Sequence, residues 1–418
     1  AESGGEVRNA ELLASFLDGC GVDLQTYEAA PGRVSLVGRL EGSDPAAPSL
    51  CLNGHTDVVP VNEAGWSRDP FGGELVDGEV WGRGAVDMLN ITASMAVVVR
   101  DLALSGFRPR GDLVFFAVAD EESGSKYGAR YMAENHADAI TTDYVLTENG
   151  GLHGGTAAEP KVTVRVGEKG VAWRRLTVRG TPGHGSMPFR SDNAIVKAAG
   201  VVSRLAAYRP APRFHDHWER EVAQMKLSAE QKAQLLHPGA IEGLLDELPA
   251  GQARSIYSCT HTTFSTNVFT SQTKTNIIPD EVVIDVDVRT VPGEGAEEVQ
   301  AHLNEALGDL ADHVEIEPLM NDVATISPVR TPLWDSLQRA VGGAFPTAEL
   351  EPAISVGFTD ARVHRELGAV AYGAGLLSPS LSAAEFGSRF HGNDERIDVE
   401  SLRLTTQLWH DVVTDILG

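Results

Sequence analysis

Cysteine is scarce in this chain. Only Cys20, Cys51 and Cys259 occur among 418 residues, and no two of them form a CxxC pair. An odd number of dispersed cysteines argues against a disulfide framework and favours reduced thiols. We therefore expect a cytoplasmic protein, stabilised by a large hydrophobic core rather than by disulfides.

Positive charge and long apolar runs are also lacking. The 34 lysines and arginines are outnumbered by 59 acidic residues, which gives a formal net charge of −25. Such a surface repels phosphate groups, so we exclude nucleic acid and anionic lipid as partners. No apolar run approaches the ~18 residues that a membrane-spanning helix needs. We expect no association with a membrane.

The order of predicted elements indicates two domains, as expected for a chain several times the ~100–200 residues of a typical domain. Strand-like and helix-like segments alternate near both ends, which favours an α/β catalytic domain with a mixed sheet. The middle is predicted as β-α-β-β-α-β, a smaller ferredoxin-like α+β lid and dimerisation domain. The expected bounds are 1–164 plus 322–418 for the catalytic domain and 165–321 for the lid domain, with a helical insert at about 209–251.

A histidine and an aspartate follow the apolar strand predicted at 49–52. His55 and Asp57 stand two residues apart, so on an extended segment both side chains share one face. Such a pair at the end of an α/β strand can point into a ligand cleft, with Asp57 near enough to orient the histidine. A polar turn is the alternative interpretation.

Further acidic residues close later segments. Asp87 follows a glycine-containing stretch at the start of a predicted helix, where it could equally be an N-cap. Glu121 and Glu122 end the apolar strand predicted at 113–119. Adjacent carboxylates raise each other's pKa unless a cation lies nearby, so a bound divalent ion is one interpretation and a solvated loop the other.

Two more residues extend this pattern. Glu148 follows the short apolar strand predicted at 144–146, and His391 stands near the C-terminus. Either residue alone is weak evidence. Acidic or histidine residues thus close four consecutive α/β segments, and one more histidine motif stands near the C-terminus. This recurrence favours one shared metal site.

Five motifs together carry a family resemblance. In order they read GHTDVVP, GRGAVDM, DEESG, TENGG and HGNDER. The series resembles the co-catalytic zinc peptidase family that includes succinyl-diaminopimelate desuccinylase, acetylornithine deacetylase, aminoacylase and glutamate carboxypeptidase. Each motif is modest alone, whereas all five in this order, from about Asn9 to the C-terminus, are specific.

The resemblance implies a role for each motif residue. It assigns one metal to His55 and Glu148, the other to Glu122 and His391, and the bridging position to Asp87. It further makes Glu121 the general base and Asp57 the residue that orients His55. The implied cofactors are two divalent ions, zinc first, with cobalt or manganese possible. A cis peptide bond between Asp87 and Met88 is also expected.

The same resemblance extends to substrate recognition. His184, in GTPGHGSMP, would stabilise the oxyanion, often across a homodimer. Asn276 and Arg289 would bind a substrate carboxylate, since arginine matches a carboxylate with two hydrogen bonds. Thr359, in GFTD, would lie beside the substrate. The implied activity is hydrolysis of an amide bond next to a free carboxylate, as in an N-acyl-amino acid deacylase, a carboxypeptidase or a dipeptidase.

A non-catalytic binding protein on the same fold is the main alternative, but Glu121 and the whole ligand set are present. A serine hydrolase would need a G-x-S-x-G elbow and a nucleotide-binding enzyme a P-loop, and the sequence contains neither.

Overall fold

The computed structural model describes residues 5–215, 217–225, 227–271 and 274–418. The chain forms two units. Unit 1 comprises Ala1–Gly167, Ser327–Ser355 and Thr359–Gly418, and unit 2 comprises Glu168–Ile326 and Val356–Phe358. No helix of the described residues is both long enough and apolar enough to cross a membrane.

The helices are distributed over both units. In chain order they are α1 (Val7–Leu17), α2 (Leu89–Ser105), α3 (Ala129–Asn135), α4 (Ala137–Ile140), α5 (Ala194–Ala207), α6 (Trp218–Gln224), α7 (Ala229–Leu235), α8 (Ile241–Glu247), α9 (Ala250–Thr260), α10 (Ala296–Leu307), α11 (Pro332–Ala344), α12 (Ala361–Glu366), α13 (Ala383–Arg389) and α14 (Val399–Leu417).

The strands alternate with these helices. They are β1 (Asp23–Ala30), β2 (Arg33–Leu40), β3 (Leu50–His55), β4 (Glu74–Val76), β5 (Glu79–Trp81), β6 (Leu113–Val118), β7 (Tyr144–Thr147), β8 (His153–Gly155), β9 (Pro160–Glu168), β10 (Gly170–Val171), β11 (Arg174–Arg179), β12 (Gly183–His184), β13 (Thr263–Thr270), β14 (Ile277–Ile278), β15 (Glu281–Thr290), β16 (Val314–Pro318), β17 (Thr325–Ile326), β18 (Glu349–Ser355), β19 (Val370–Gly373) and β20 (Arg396–Asp398).

Unit 1 is built on a large mixed sheet, as the sequence predicts. Its strand order is β1-β2-β6-β3-β7-β19-β9. Strand β3 is parallel to both β6 and β7, and β19 is parallel to β7, whereas β1, β2 and β6 pair antiparallel. Every residue of β3 and β6 is buried. The apolar runs Leu50–Leu52 in β3 and Leu113–Val118 in β6 fit strands that are covered on both faces.

Helices cover both faces of this sheet. One hydrophobic cluster joins α2, α11 and α14 to the sheet, with Trp409 fully buried within it. A second cluster, on side chains such as Phe116 and Val363, joins α3 and α12 to the sheet's other side. The two layers leave the carboxyl ends of β3, β6 and β7 together at one edge, because these neighbouring strands are parallel.

Unit 2 has the elements β11-α5-β13-β15-α10-β16, with α6 to α9 inserted after α5. The strands pair antiparallel in the order β13-β15-β11-β16, which is a ferredoxin-like arrangement. Helices α5 and α10 cover one face through a cluster that includes Val201 and Leu303. The insert has its own small cluster around Trp218.

Several elements of unit 1 were not predicted from the sequence, among them β1, β18 and α13. Strand β1 is an edge strand with mostly exposed, polar residues, so it lacks an apolar run. Strand β18 alternates between buried and partly buried or exposed residues, and α13 is only seven residues long. Short or edge elements give weak periodic signals because few of their residues contact the core.

Candidate metal centre

The predicted ligands converge at the shared edge of the parallel strands. His55 is the last residue of β3, and Glu148 directly follows β7. Glu121 and Glu122 lie in a single helical turn after β6. That turn begins at Asp120 with a left-handed φ of 67°, which turns the chain sharply as it leaves the strand.

Asp87 lies between the two histidines. Its Oδ1 atom is 2.9 Å from Nε2 of His55, and its Oδ2 atom is 2.9 Å from Nε2 of His391. Nε2 of His391 is also 3.3 Å from Oε2 of Glu122. On the other side, Nε2 of His55 is 3.9 Å from Oε1 of Glu148. The geometry therefore offers one carboxylate with an imidazole on either side.

These side chains form two groups that could hold metal ions. The ligand atoms of each group lie within 4.8 Å of one another, and the groups are His55, Asp87, Glu122 and His55, Glu121, Glu148. Among the described residues, the buried Oε1 atom of Glu122 has no hydrogen-bond partner. Imidazole and carboxylate are ligands that suit zinc, so the residues present fit two divalent cations.

The electrostatics of the pocket also fit a cation. Burial raises the pKa of both Glu121 and Glu148 well above the usual range, and the nearby Asp87 raises both further. The hydrogen bonds to Asp87 and Glu122 raise the pKa of His391 to about 10. Without a metal, protons must therefore offset the carboxylate charges. A divalent ion would compensate the same charges with the imidazoles neutral.

Asp57 has two contacts in the structure. Nδ1 of His55 is 2.9 Å from the backbone oxygen of Asp57, but 3.6 Å from its carboxylate. The carboxylate instead accepts hydrogen bonds from the backbone N–H groups of Glu121 and Glu122, both at 3.1 Å. Asp57 thus contacts the imidazole through its main chain and holds the acidic turn through its side chain.

The peptide bond between Asp87 and Met88 is cis, as the resemblance implied. Helix α2 begins immediately afterwards, and no side-chain hydrogen bond caps its N-terminus. Asp87 therefore does not act as the N-cap that its sequence position could also have indicated.

The predicted recognition residues of unit 2 lie on strands or directly beside one. His184 is exposed on β12, which pairs with β14 directly after Asn276. Arg289 lies on β15 and donates to Asp287 through Nε at 2.7 Å and Nη2 at 3.3 Å. Its Nη1 atom is buried and has no hydrogen-bond partner among the described residues. The Asp287 contacts fix the guanidinium plane, and Nη1 remains able to donate.

Thr359 is buried in unit 1, where its hydroxyl accepts a hydrogen bond from the N–H of Ala361 at 3.2 Å. Its backbone oxygen accepts another from Arg362 at 2.8 Å. These contacts belong to the first turn of α12. They give Thr359 a structural role in addition to the substrate contact that the resemblance implies.

One buried acid of the site was overlooked in the sequence. Glu395 belongs to the HGNDER motif, yet nothing in the pattern gave it a role. In the structure it is fully buried and accepts hydrogen bonds from the backbone immediately around Asp87. Its position four residues after His391 was the only available signal.

A mixed α/β sheet with these acidic and imidazole groups gathered beside the carboxyl ends of its parallel strands defines a class, the metal-dependent hydrolases. Comparison with known proteins agrees and gives the family. The chain belongs to peptidase family M20/M25/M40, whose family profile matches residues 51–415.

The similarity to curated relatives covers most of the chain. The probable carboxypeptidase S-like 2 of Dictyostelium discoideum is 27% identical over 401 residues, which cover 91% of this chain and 74% of the relative. Aminoacylase-1 of Sus scrofa is 29% identical over 385 residues, covering 90% and 82%. These relatives are hydrolases of amide bonds, so a non-catalytic binding protein is not supported.

A solved structure shows the same fold. The M20 family metallo-carboxypeptidase Sso-CP2 from Sulfolobus solfataricus superposes with a TM-score of 0.72 at 18% sequence identity. The match covers 98% of this chain and 93% of that one. The mixed α/β fold of this chain is therefore that of a solved M20 family structure.

Proposed function

We propose that the protein hydrolyses the amide bond of N-acyl amino acids or short peptides, next to a free carboxylate, with two zinc ions. The observation that carries this proposal is the placement of Asp87, whose two carboxylate oxygens each lie 2.9 Å from a different imidazole. A carboxylate in that position can bridge two ions. One ion would be held by His55 and Glu148, and the other by Glu122 and His391.

Glu121 is proposed as the general base. The Glu121 residue is 5% exposed, and Oε2 of its neighbour Glu122 lies 3.3 Å from Nε2 of His391, so the two acids can act separately as base and ligand. Two divalent cations held by these ligands would supply Lewis acidity, polarising a substrate carbonyl and lowering the pKa of a water molecule. Glu121 accepts a proton from the attacking water and delivers it to the leaving amine.

Unit 2 is proposed to recognise the substrate. Arg289 presents Nη1 as a free donor while Asp287 fixes its plane, which suits a carboxylate. Asn276 would assist it, and His184, exposed on its short strand, would donate to the developing oxyanion of a neighbouring subunit in a homodimer. A carboxypeptidase and an aminoacylase both appear among the relatives, which favours a carboxylate beside the scissile amide. The cytoplasmic location remains a prediction from the cysteine content.

A substrate panel tests the proposal. The chain, loaded with zinc, is assayed for amine release from N-acetyl, N-succinyl and long-chain N-acyl amino acids and from dipeptides. Each substrate is paired with its carboxamide analogue, in which the carboxylate is blocked. We expect turnover of the free acids and little of the carboxamides. Equal rates for both members of every pair would contradict the carboxylate requirement.

The variant Glu121→Gln tests the assignment of Glu121 as the general base. It should retain its zinc, because the proposed ligands are unchanged, and lose about 10²- to 10⁴-fold in kcat. Full activity with normal zinc content would rule out Glu121 as the base.

A further inference from the structure

The carboxylate of Glu395 links two segments of unit 1 that are far apart in sequence. It lies in the chain segment that follows His391, directly before β20, and is fully buried. Its Oε1 atom accepts hydrogen bonds from the backbone N–H groups of Gly84 at 3.1 Å, Val86 at 2.7 Å and Asp87 at 3.0 Å. Its Oε2 atom accepts one from Nη1 of Arg83 at 2.6 Å.

The three N–H donors belong to one tight turn. Gly84 has a φ of 90°, and a Cβ there would lie 2.7 Å from the side chain of Leu89. This backbone directs its N–H groups inward, where a single anionic oxygen can satisfy all three. Successive backbone N–H groups of this kind form a concave site for an anion. Glu395 supplies that anion from within the chain.

The same contacts join the two proposed ligand segments. Arg83 also donates to the backbone oxygen of His391 at 3.4 Å, and the N–H of Gly82 donates to the backbone oxygen of Glu395 at 3.0 Å. The segment before Asp87 is thereby fastened to the segment that carries His391. The spacing between the Asp87 carboxylate and the His391 imidazole depends on this attachment.

We propose that Glu395 is a positioning residue, which holds the backbone of Asp87 against the His391 segment so that the Asp87 carboxylate can bridge two metal ions. The inference rests on the proposed function, since it requires two ions in the pocket. The proposal predicts that the two metal ions respond differently to the loss of Glu395. Loss of Glu395 weakens the ion held by Glu122 and His391 more than the ion held by His55 and Glu148, because it loosens the His391 segment as well as Asp87, which both ions share. In the described structure Glu395 makes no hydrogen bond to the segments of His55 and Glu148.

The test compares Glu395→Gln with Glu294→Gln. Glu294 is also buried and ion-paired, but it lies in unit 2 with Arg213 and His302 as partners. Both variants and the parent are stripped of metal, and the stepwise zinc affinities are measured by competition with a chromogenic chelator. Far-UV circular dichroism and thermal unfolding of the metal-free proteins report on folding.

We expect Glu395→Gln to bind the second zinc about 10- to 100-fold more weakly than the parent, as is usual when a residue supporting a metal ligand is lost. The first zinc, which Asp87 also holds, should show a smaller loss of affinity. Glu294→Gln should bind both ions like the parent. Parent-like affinity for both ions in Glu395→Gln would overturn the proposal. So would an equal loss in both variants, because that loss would reflect general destabilisation.

A second variant covers the case in which Glu395→Gln does not fold. Arg83→Gln removes the cationic partner but leaves the three backbone contacts, so a smaller loss, again greater for the second zinc than for the first, supports the proposal. An unchanged second affinity in Arg83→Gln then refutes it. Failure of the proposed function would instead appear in the parent chain, which would bind no zinc.

Discussion

His364 is buried in unit 1 in a way that makes the stability of the protein depend on pH. Its side chain is fully inaccessible, on α12, with its ring edge-to-face against Phe116 at a centroid distance of 6.0 Å. Neither ring nitrogen has a hydrogen-bond partner among the described residues. Burial, and to a lesser extent the charge of Arg365, lowers the pKa of His364 from 6.5 to about 4.

The difference between the folded and unfolded pKa of His364 gives the sign and the size of its effect on stability. Because the folded pKa lies below the unfolded one, the unfolded chain binds an additional proton between pH 6.5 and about 4. The stabilisation from a neutral His364 is therefore complete above pH 6.5 and is lost as the pH falls toward 4. The full gap corresponds to ~3.4 kcal/mol, of which ~2 kcal/mol is lost by about pH 5.

The substitution His364→Leu removes the titrating ring and leaves no buried polar atom behind. We expect the variant to match or exceed the parent at neutral pH, since no hydrogen bond is lost. Between neutral pH and about pH 5, its free energy of unfolding should fall by ~2 kcal/mol less than that of the parent. For a unit of this size, that difference is ~4–8 °C in melting temperature.

Thermal unfolding of the metal-free proteins, followed by circular dichroism across this pH range, measures the difference directly. His410→Gln serves as the control, because the His410 side chain is 42% exposed on α14 of the same unit. It should follow the pH profile of the parent. If His364→Leu loses stability on acidification as steeply as the parent does, the assignment of the acid sensitivity to His364 is wrong.

Three further predictions concern the site. If His184 acts across a homodimer, mixing the separately inactive His184→Ala and Glu121→Gln chains should restore part of the activity, because each mixed dimer contains one complete site. Mixed dimers that form and stay inactive would contradict that role. Arg289→Lys should raise KM for free-acid substrates by about tenfold, because lysine cannot make the paired hydrogen bonds, with little change in kcat; an unchanged KM would exclude Arg289 from carboxylate binding. Removing metal with a chelator should abolish activity and lower the melting temperature, and zinc at about 100 times its Kd should restore ~2.7 kcal/mol of stability; a chelator-treated protein that keeps full activity would refute the metal requirement.

The general plan of the catalytic unit was predictable from the sequence. Buried parallel strands have continuous apolar sequences, so β3, β6 and β7 could be located, and the polar residues that follow them were expected at one edge of the sheet. His55, Glu121 and Glu148 were found by this route. The family resemblance added His391 and the cis bond after Asp87, which no local pattern could have supplied.

The contacts between these segments became known only from the tertiary structure. Asp87 and His391 are 304 positions apart, and nothing in the chemistry of either segment indicates that their side chains lie 2.9 Å apart. The carboxylate of Asp57 holds the acidic turn, and Glu395 holds the turn before Asp87, each through backbone N–H groups.

The five recurring motifs therefore determined which residue types and which chemistry the site contains. Only the folded chain decided how those residues are held in place. The physical reason is that every residue has the same backbone N–H group, so its hydrogen-bond partner depends on the path of the chain. A sequence pattern shows only which side chains are present. It does not indicate which backbone N–H groups donate to Asp57 and Glu395.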